Sequence, residues 1–585
     1  MDTSATPTAN SLPQQIGGFA SLAEALDYAA GGDTGVNFYS GRGELIATLT
    51  YARLRQRALE LARRLAGFGL ERGARVALVA DTNPDFVRFF FACQYAGLVP
   101  VPLSASLHLG GRQAYVSQLA HLLASCGADL AMAPPAFLAS LREAAEGLPL
   151  RFLGEPAAFD ELAASGTALR ALGPGDTAFL QYTSGTTRFV RGVVVTQAAL
   201  MNNLTGILRD GLAIRAGDRA VSWLPYYHDM GFVGFVLAPM ASQVSADYMS
   251  PTEFAKRPVQ WLALISASRA TIAFSPTFGY ELCAERARRE DVDRLDLRSW
   301  RVAGVGAEMI RPDALERFAD QFAPAGFDRR AFMACYGMAE CSLAVSFSPL
   351  DTGLRVDRID RRRLTESRIA LPVDDTPGDA EVGRFVNCGR ALAGFEVQVR
   401  DEEGRVLPAR RCGTVFVRGP SVSPGYFDDS AATEEVLSAD GWLDTGDLGY
   451  HVDGSLIITG RRKDLLIING RNIWPQDLES IAIHQAGVSG RAAAAFAVPG
   501  PGGEEMAAMV VQCRISDPAR RTALVERLQT AILAELGIRC VIELVPPHTL
   551  PRTSSGKLSR ARARAGFLKR LEVAAPAEAW SPRLP

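Results

Sequence analysis

Short apolar runs alternate with helical stretches through the first half of this chain, and that alternation limits the fold more than any other feature. The runs RVALVA (75–80), DLAMA (129–133), TAFLQYT (177–183), AVSWLP (220–225), ATIAFS (270–275) and RVAGVG (301–306) have strand length. Strands separated by helices imply α/β layering with substantially parallel sheets. Thr50 caps YARLRQRALELARRLAGFG, where Tyr51, Leu54, Ala58, Leu61 and Leu65 form one stripe and Gly67 and Gly69 supply the stop. The apolar stretch from Phe86 to Val101 contains Arg88 and Gln94, so it reads as a buried helix leading into a strand, not a membrane span.

Beyond about Gly389 the pattern turns β-rich. EVQVRDEEGRVLP reads as two short strands around a turn at Glu403-Gly404, with GTVFVRGP and HVDGSLIITG as further strands. The final segment has strands (AAAAFAV, AAMVVQC) and a helix (RTALVERLQTAILAELG), so it is expected to be a small α+β domain. The expected architecture is a large N-terminal domain, 1–460, of layered α/β subdomains plus a β-rich subdomain, followed by a mobile C-terminal α+β domain, 461–585.

A chain of 585 residues has room for at least two such cores, and its net charge of -2 supplies no global field for nucleic acid or membranes. Its nine cysteines form no CxxC or Cys/His cluster, which points to idle thiols in a reducing compartment. MDTSATPTANSLPQQ lacks the features of a secretory signal, and a cytoplasmic protein without a transmembrane segment is expected.

The stretch YTSGTTRFVRGVVVT (182–196) carries chemistry. Thr183, Ser184, Thr186 and Thr187 offer hydroxyls, and Gly185 lets backbone N–H groups approach an anion closely. Taken alone, such a loop is more often a plain turn, and no GxxxxGK[ST] occurs in the chain. Its company decides. SWLPYYHDMG (222–231), GVGAE (304–308), ACYGMAE (334–340), GWLDTGDLG (441–449), GRRKDLLIINGRNIWPQDLE (460–479) and LPRTSSGK (550–557) follow in order.

In this order the stretches resemble the adenylate-forming superfamily of acyl-CoA synthetases, luciferases and amino-acid-activating domains, and among these the fatty acyl-AMP ligases most. The resemblance runs from about residue 20 to about residue 570. It implies that ATP and a fatty acid form acyl-AMP with Mg²⁺, Thr186 and Lys557 being catalytic and Glu340 the metal ligand. A lone carboxylate suits one Mg²⁺ position when phosphates and water supply the others. The resemblance further implies a phosphate loop of Thr183, Ser184, Gly185, Thr186, Thr187 and Arg191. It implies an adenine pocket of Gly306, Ala307, Glu308 and Tyr336, further ATP/AMP contacts from Gly337 and Met338, ribose contacts from Asp447 and Arg461, and a hinge at Lys463. His228, Met230, Phe274, Thr277 and Phe278 are the acyl-pocket candidates.

Three departures stand out. Arg188-Phe189-Val190-Arg191-Gly192 replaces the family's Gly-x-Pro-Lys-Gly, Gln197 replaces a histidine and Val305 an asparagine. Arg191 keeps the lysine's charge and adds a fork. The stretch between Glu340 and Gly389 resembles the insertion of fatty acyl-AMP ligases, about 345–385, which implies transfer to the phosphopantetheine thiol of an acyl carrier protein for polyketide, peptide or lipid assembly. Arg552, Lys557, Arg560, Arg562, Arg564, Lys569 and Arg570 form a positive run suited either to an acidic carrier or to a plain solvated helix face. A CoA ligase and a degenerate acyl- or nucleotide-binding homologue are the alternatives; without a G-x-S-x-G elbow, a lipase-like hydrolase is not.

Overall fold

Parallel strands make up the centre of a nine-stranded sheet in the computed structural model. It describes residues 12–105, 111–183, 191–373, 382–468, 471–486, 492–500, 504–553 and 558–573. Gly35–Tyr39, Ser245–Met249, Arg219–Ser222, Ile272–Ser275, Val302–Val305 and Phe332–Gly337 lie side by side and parallel. Leu45–Thr50 and Ala344–Phe347 flank this block antiparallel, and Arg390–Ala391 completes one edge. A second, wholly parallel sheet joins Val99–Leu103, Arg75–Val79, Ala128–Met132 and Phe152–Gly154.

Local expectations explain much of this. Thr50 accepts a hydrogen bond from Arg53 N–H at 3.2 Å, and the stripe from Tyr51 to Leu65 is buried along the helix Tyr51–Ala66. Pro84–Ala96 is the buried helix, and it leads into Val99–Leu103. The hairpin expected around Gly404 keeps its turn, but its second strand shrinks to a single bridge between Arg400 and Val406. The edge hairpin Gly35–Tyr39/Leu45–Thr50 carried no clear alternation, since Leu45 and Ile46 are exposed at the sheet margin.

Glu396–Arg400, Gly413–Arg418, Leu443–Val452 and Ser455–Arg461 form an antiparallel sheet. A short turn, Arg462–Asp464, leads from it to the C-terminal strands Ala493–Pro499, Glu505–Gln512 and Cys540–Val545. Within the expected insertion, Val356–Asp360 pairs with Val382–Val386 beside a helix, Arg361–Ser367. That helix meets the C-terminal segment, where Arg361 Nε lies 3.6 Å from Asp477. Trp474 packs with Ile359, Leu364 and Tyr450. All nine cysteines are unpaired, and among the described residues no helix is long and apolar enough to cross a membrane.

The basic run divides on inspection. Arg560 is turned inward, bonded to both oxygens of Glu479 at 2.7 Å and to Asp464 at 3.1 Å. Arg564 donates to the Ala497 carbonyl and Arg570 pairs with Glu543. Arg560 therefore serves its own domain. Replacing it by Met strands two acids at a cost of about 3 kcal/mol. Amide hydrogen exchange across Ala493–Pro499 is then expected to quicken by about a hundredfold, with the N-terminal sheets unaffected. Unchanged exchange would refute this role.

Candidate active site

The C-terminal ends of the parallel strands open onto a cavity of about 1290 Å³. Such ends are the usual ligand positions of open α/β sheets. Thr183, Ala307, Tyr336, Gly337, Met338 and Glu340 line it together with Arg461 and Lys463. Residues expected to handle nucleotide, separated by up to 278 positions (Thr183 to Arg461), thus share one wall with the expected hinge residue Lys463.

Two close approaches shape this wall. A Cβ on Gly337 would strike the Leu343 carbonyl, and one on Gly304 would enter the Phe274 ring. Ala307 holds φ at +66°, a left-handed conformation costing an L-residue about 1 kcal/mol. Gly306 backs onto Cys335, and Glu308 accepts the Phe278 N–H at 3.0 Å, so neither reaches the cavity wall.

Asp447 sits opposite Arg461 on paired antiparallel strands. Its carboxylate accepts the Tyr336 hydroxyl at 2.7 Å and lies 3.4 Å from Arg461 Nε. Burial raises its pKa, while Arg461 and the Tyr336 hydrogen bond oppose that rise. Its neighbours Thr445 and Gly446, rather than Asp447 itself, line the cavity. Lys463 occupies the turn after Arg461, where burial lowers its pKa and the positive charge of Arg461 adds to the effect.

Glu340 lies in a short turn, Ala339–Cys341, and its backbone carbonyl accepts the Ser423 N–H at 2.7 Å. Tyr426 donates its hydroxyl to Glu340 Oε1 at 2.9 Å. Burial drives the Glu340 pKa upward, and the tyrosine hydrogen bond counters it. Tyr426 engages only one carboxylate oxygen, so the group fits a Mg²⁺ ion held chiefly by ATP phosphates. No group of three or more metal-ligating side chains occurs among the described residues.

Arg191 stacks over the Tyr426 ring at 5.2 Å and donates to Glu435 at 3.2 Å, with Asp429 at 4.0 Å. The arginine expected to grip phosphate is therefore anchored to acids while still facing the cavity. Tyr426 went unread in the sequence because SVSPGYFDD looks like ordinary turn chemistry. Gln197 has a structural task, donating to Gln94 at 2.6 Å and accepting the Leu22 N–H at 3.0 Å. Val305 is fully buried.

An apolar arm continues from this wall. His228, Met230 and Phe274 line it, whereas Thr277 and Phe278 are buried away from it, Phe278 against Trp223. His228 Nδ1 lies 2.6 Å from the Asp229 carboxylate, which accepts the Met230 N–H at 2.7 Å, an arrangement that suits a helix start rather than a metal ligand. Ile207, Leu208, Leu212 and Phe235 also line the arm, and no motif marked them. Ser184, Gly185, Thr186 and Thr187 lie outside the described residues, as does Lys557, although Thr553 and Ser559 on either side of it line the cavity.

Removing the Tyr426 hydroxyl tests the arrangement. A hydrogen bond to a charged group contributes roughly 1.5 kcal/mol, so Tyr426→Phe is expected to raise the Mg²⁺ concentration needed for ATP binding about tenfold. Calorimetric ATP titrations at graded Mg²⁺ measure it; a curve identical to the parent's would rule out this role for Tyr426.

The sequence profile of the AMP-binding enzyme family matches residues 35–427. A Caulobacter vibrioides protein carrying an acyl-CoA synthetase name is 47% identical, over 96% of this chain and 98% of its own. The medium-chain fatty acid–acyl-carrier-protein ligase JamA of Moorena producens is 30% identical over 94% of this chain and 95% of its own. A solved structure from work on fatty acyl-adenylate ligases of E. coli and L. pneumophila superposes with a TM-score of 0.91 at 45% identity, covering 96% of this chain and all of that one. With this layered fold and these relatives, the chain belongs to the AMP-binding, adenylate-forming family and is an ATP-dependent ligase of the fatty acyl-adenylate type.

Proposed function

We propose that the fatty acyl-AMP made by this ligase is handed to the phosphopantetheine thiol of an acyl carrier protein. In the first step a carboxylate oxygen of the fatty acid attacks the α-phosphorus of ATP, and the bond to pyrophosphate breaks with its electron pair. In the second, the carrier thiol attacks the acyl carbonyl, AMP leaves, and the thiol proton passes to solvent. Mg²⁺, when bound with ATP, neutralises charge on the phosphates. Glu340 would hold that ion, Asp447 and Arg461 would fix the ribose through the turn at Gly446, and Tyr336 and Ala307 would flank the base.

One observation carries the first step: a single cavity joins that polar wall to an arm of Met230, Phe274 and Ile207, so an adenylate and an alkyl chain fit end to end. The insertion favours the carrier thiol, because its helix Arg361–Ser367 meets the C-terminal segment through Arg361 and Asp477 and so loads the motion expected about Lys463. JamA, by its name, uses a carrier protein. Arg562 and Lys569, both exposed, remain available to an acidic carrier. The acyl-CoA synthetase name of the Caulobacter vibrioides relative supports a second reading, with CoA as acceptor.

Mass spectrometry of reactions with ATP, Mg²⁺ and mixed fatty acids, alone and with CoA or holo carrier protein, separates these readings. Acyl-AMP alone and acyl-carrier in the third tube are expected; abundant acyl-CoA would transfer the assignment to the second reading. Lys557→Ala is expected to slow adenylate formation by about a hundredfold while ATP binding stays near the parent's, the scale for losing one charge-stabilising donor. Adenylate formation at the parent rate would remove Lys557 from the catalytic set.

A further inference from the structure

The apolar arm runs back beneath the parallel sheet. Ile272 and Phe274 are two residues apart on one strand, so they share a face, and both line the cavity. Ile272 is in register with Ala220 on one side and Val302 on the other. Ala307, on the nucleotide wall, lies five residues beyond Val302, a strand rise of up to roughly 16 Å. The arm therefore leads from the C-terminal ends of the strands towards their N-terminal starts.

The far end is lined by buried and largely apolar residues. Ala220, Ser242, Val244 and Ile272 line it and are 4%, 0%, 5% and 3% exposed. The Ser242 hydroxyl donates to the carbonyls of Ala238 and Pro239, so its proton is engaged. The charge of the neighbouring Arg219 is paired with the buried Asp247 at 2.6 Å.

Opposite the sheet, the arm is walled by two π-helical turns. Gly206–Gly211 contributes Ile207 and Leu208, and Val233–Leu237 contributes Gly234 and Phe235. A π-turn takes in an extra residue and widens the helix locally, a distortion found mostly at functional sites. Two of them on one arm mark it as built space rather than a packing defect.

We infer that Ala220, Ser242, Val244 and Ile272 form the floor of an acyl ruler, and that the ligase selects methyl-terminated acids whose chain ends on that floor. The inference rests on the fatty-acid reading of the same cavity. An acid with a second carboxylate at its far end would bury an unpaired charge against Ala220 and Val244 and is excluded.

A ladder of straight-chain acids, assayed by pyrophosphate release, tests it. Each methylene buried in the arm contributes about 0.8 kcal/mol, so kcat/KM is expected to rise roughly fourfold per methylene until the chain meets the floor, then to fall. Ala220→Leu is expected to move that break to shorter acids and Val244→Ala to longer ones, read as the ratio of long-acid to short-acid kcat/KM. If Ala220→Leu does not fold, Val244→Ala decides. A break that stays put in the folded variants overturns the ruler, and so does an α,ω-diacid used as well as the monoacid of equal length. Absence of acyl-AMP from the parent with every acid would instead overturn the fatty-acid reading, and the ruler with it.

Discussion

The site depends on how one buried carboxylate is satisfied. Asp447 belongs to the antiparallel sheet, Tyr336 to the parallel one, and Arg461 to the strand leading out of the N-terminal domain. A buried charge without partners costs several kcal/mol, so Tyr336 and Arg461 must both come to Asp447. Their meeting ties the two sheets together just before the chain leaves for Arg462–Asp464. The nucleotide wall follows from that junction.

Around it, space is obtained by omission. Gly304 admits the Phe274 ring and Gly337 admits the Leu343 carbonyl, drawing the strand ends close enough to share a cavity. The strain held at Ala307 lies on this same wall, as expected where surrounding structure must over-determine a disfavoured backbone. Behind Glu340, Tyr426 and Arg191 form a stack ending on Glu435, so the carboxylate suited to the metal and the arginine expected to grip phosphate share one support.

Much of the fold was legible because its signals are local. The strand runs differ from their observed bounds by one or two residues at most ends, and Thr50, Tyr51 and Leu65 behave as their spacing demands. The runs at 220–225 and 270–275 overshoot, since Trp223 and Leu224 leave the ladder for the aromatic core and the strand at Ile272 starts late. The basic run misled for a physical reason. Charge alone does not say whether an arginine faces water, and Arg560 meets Glu479 only after the chain has folded across 81 residues.

The sequence by itself determined the order of elements and the α/β class and marked the motifs that gather at the cavity, because periodicity and short motifs are written within a few turns of chain. Tertiary structure alone decided which of them share a cavity. Ala307, Tyr336, Glu340 and Arg461 converge because parallel strands place their C-terminal ends together, whatever their separation in the chain. Tyr426, the two π-turns and the floor at Ala220 and Val244 carry no local signature. They matter only through what packs opposite them, and long-range packing is what a linear reading lacks.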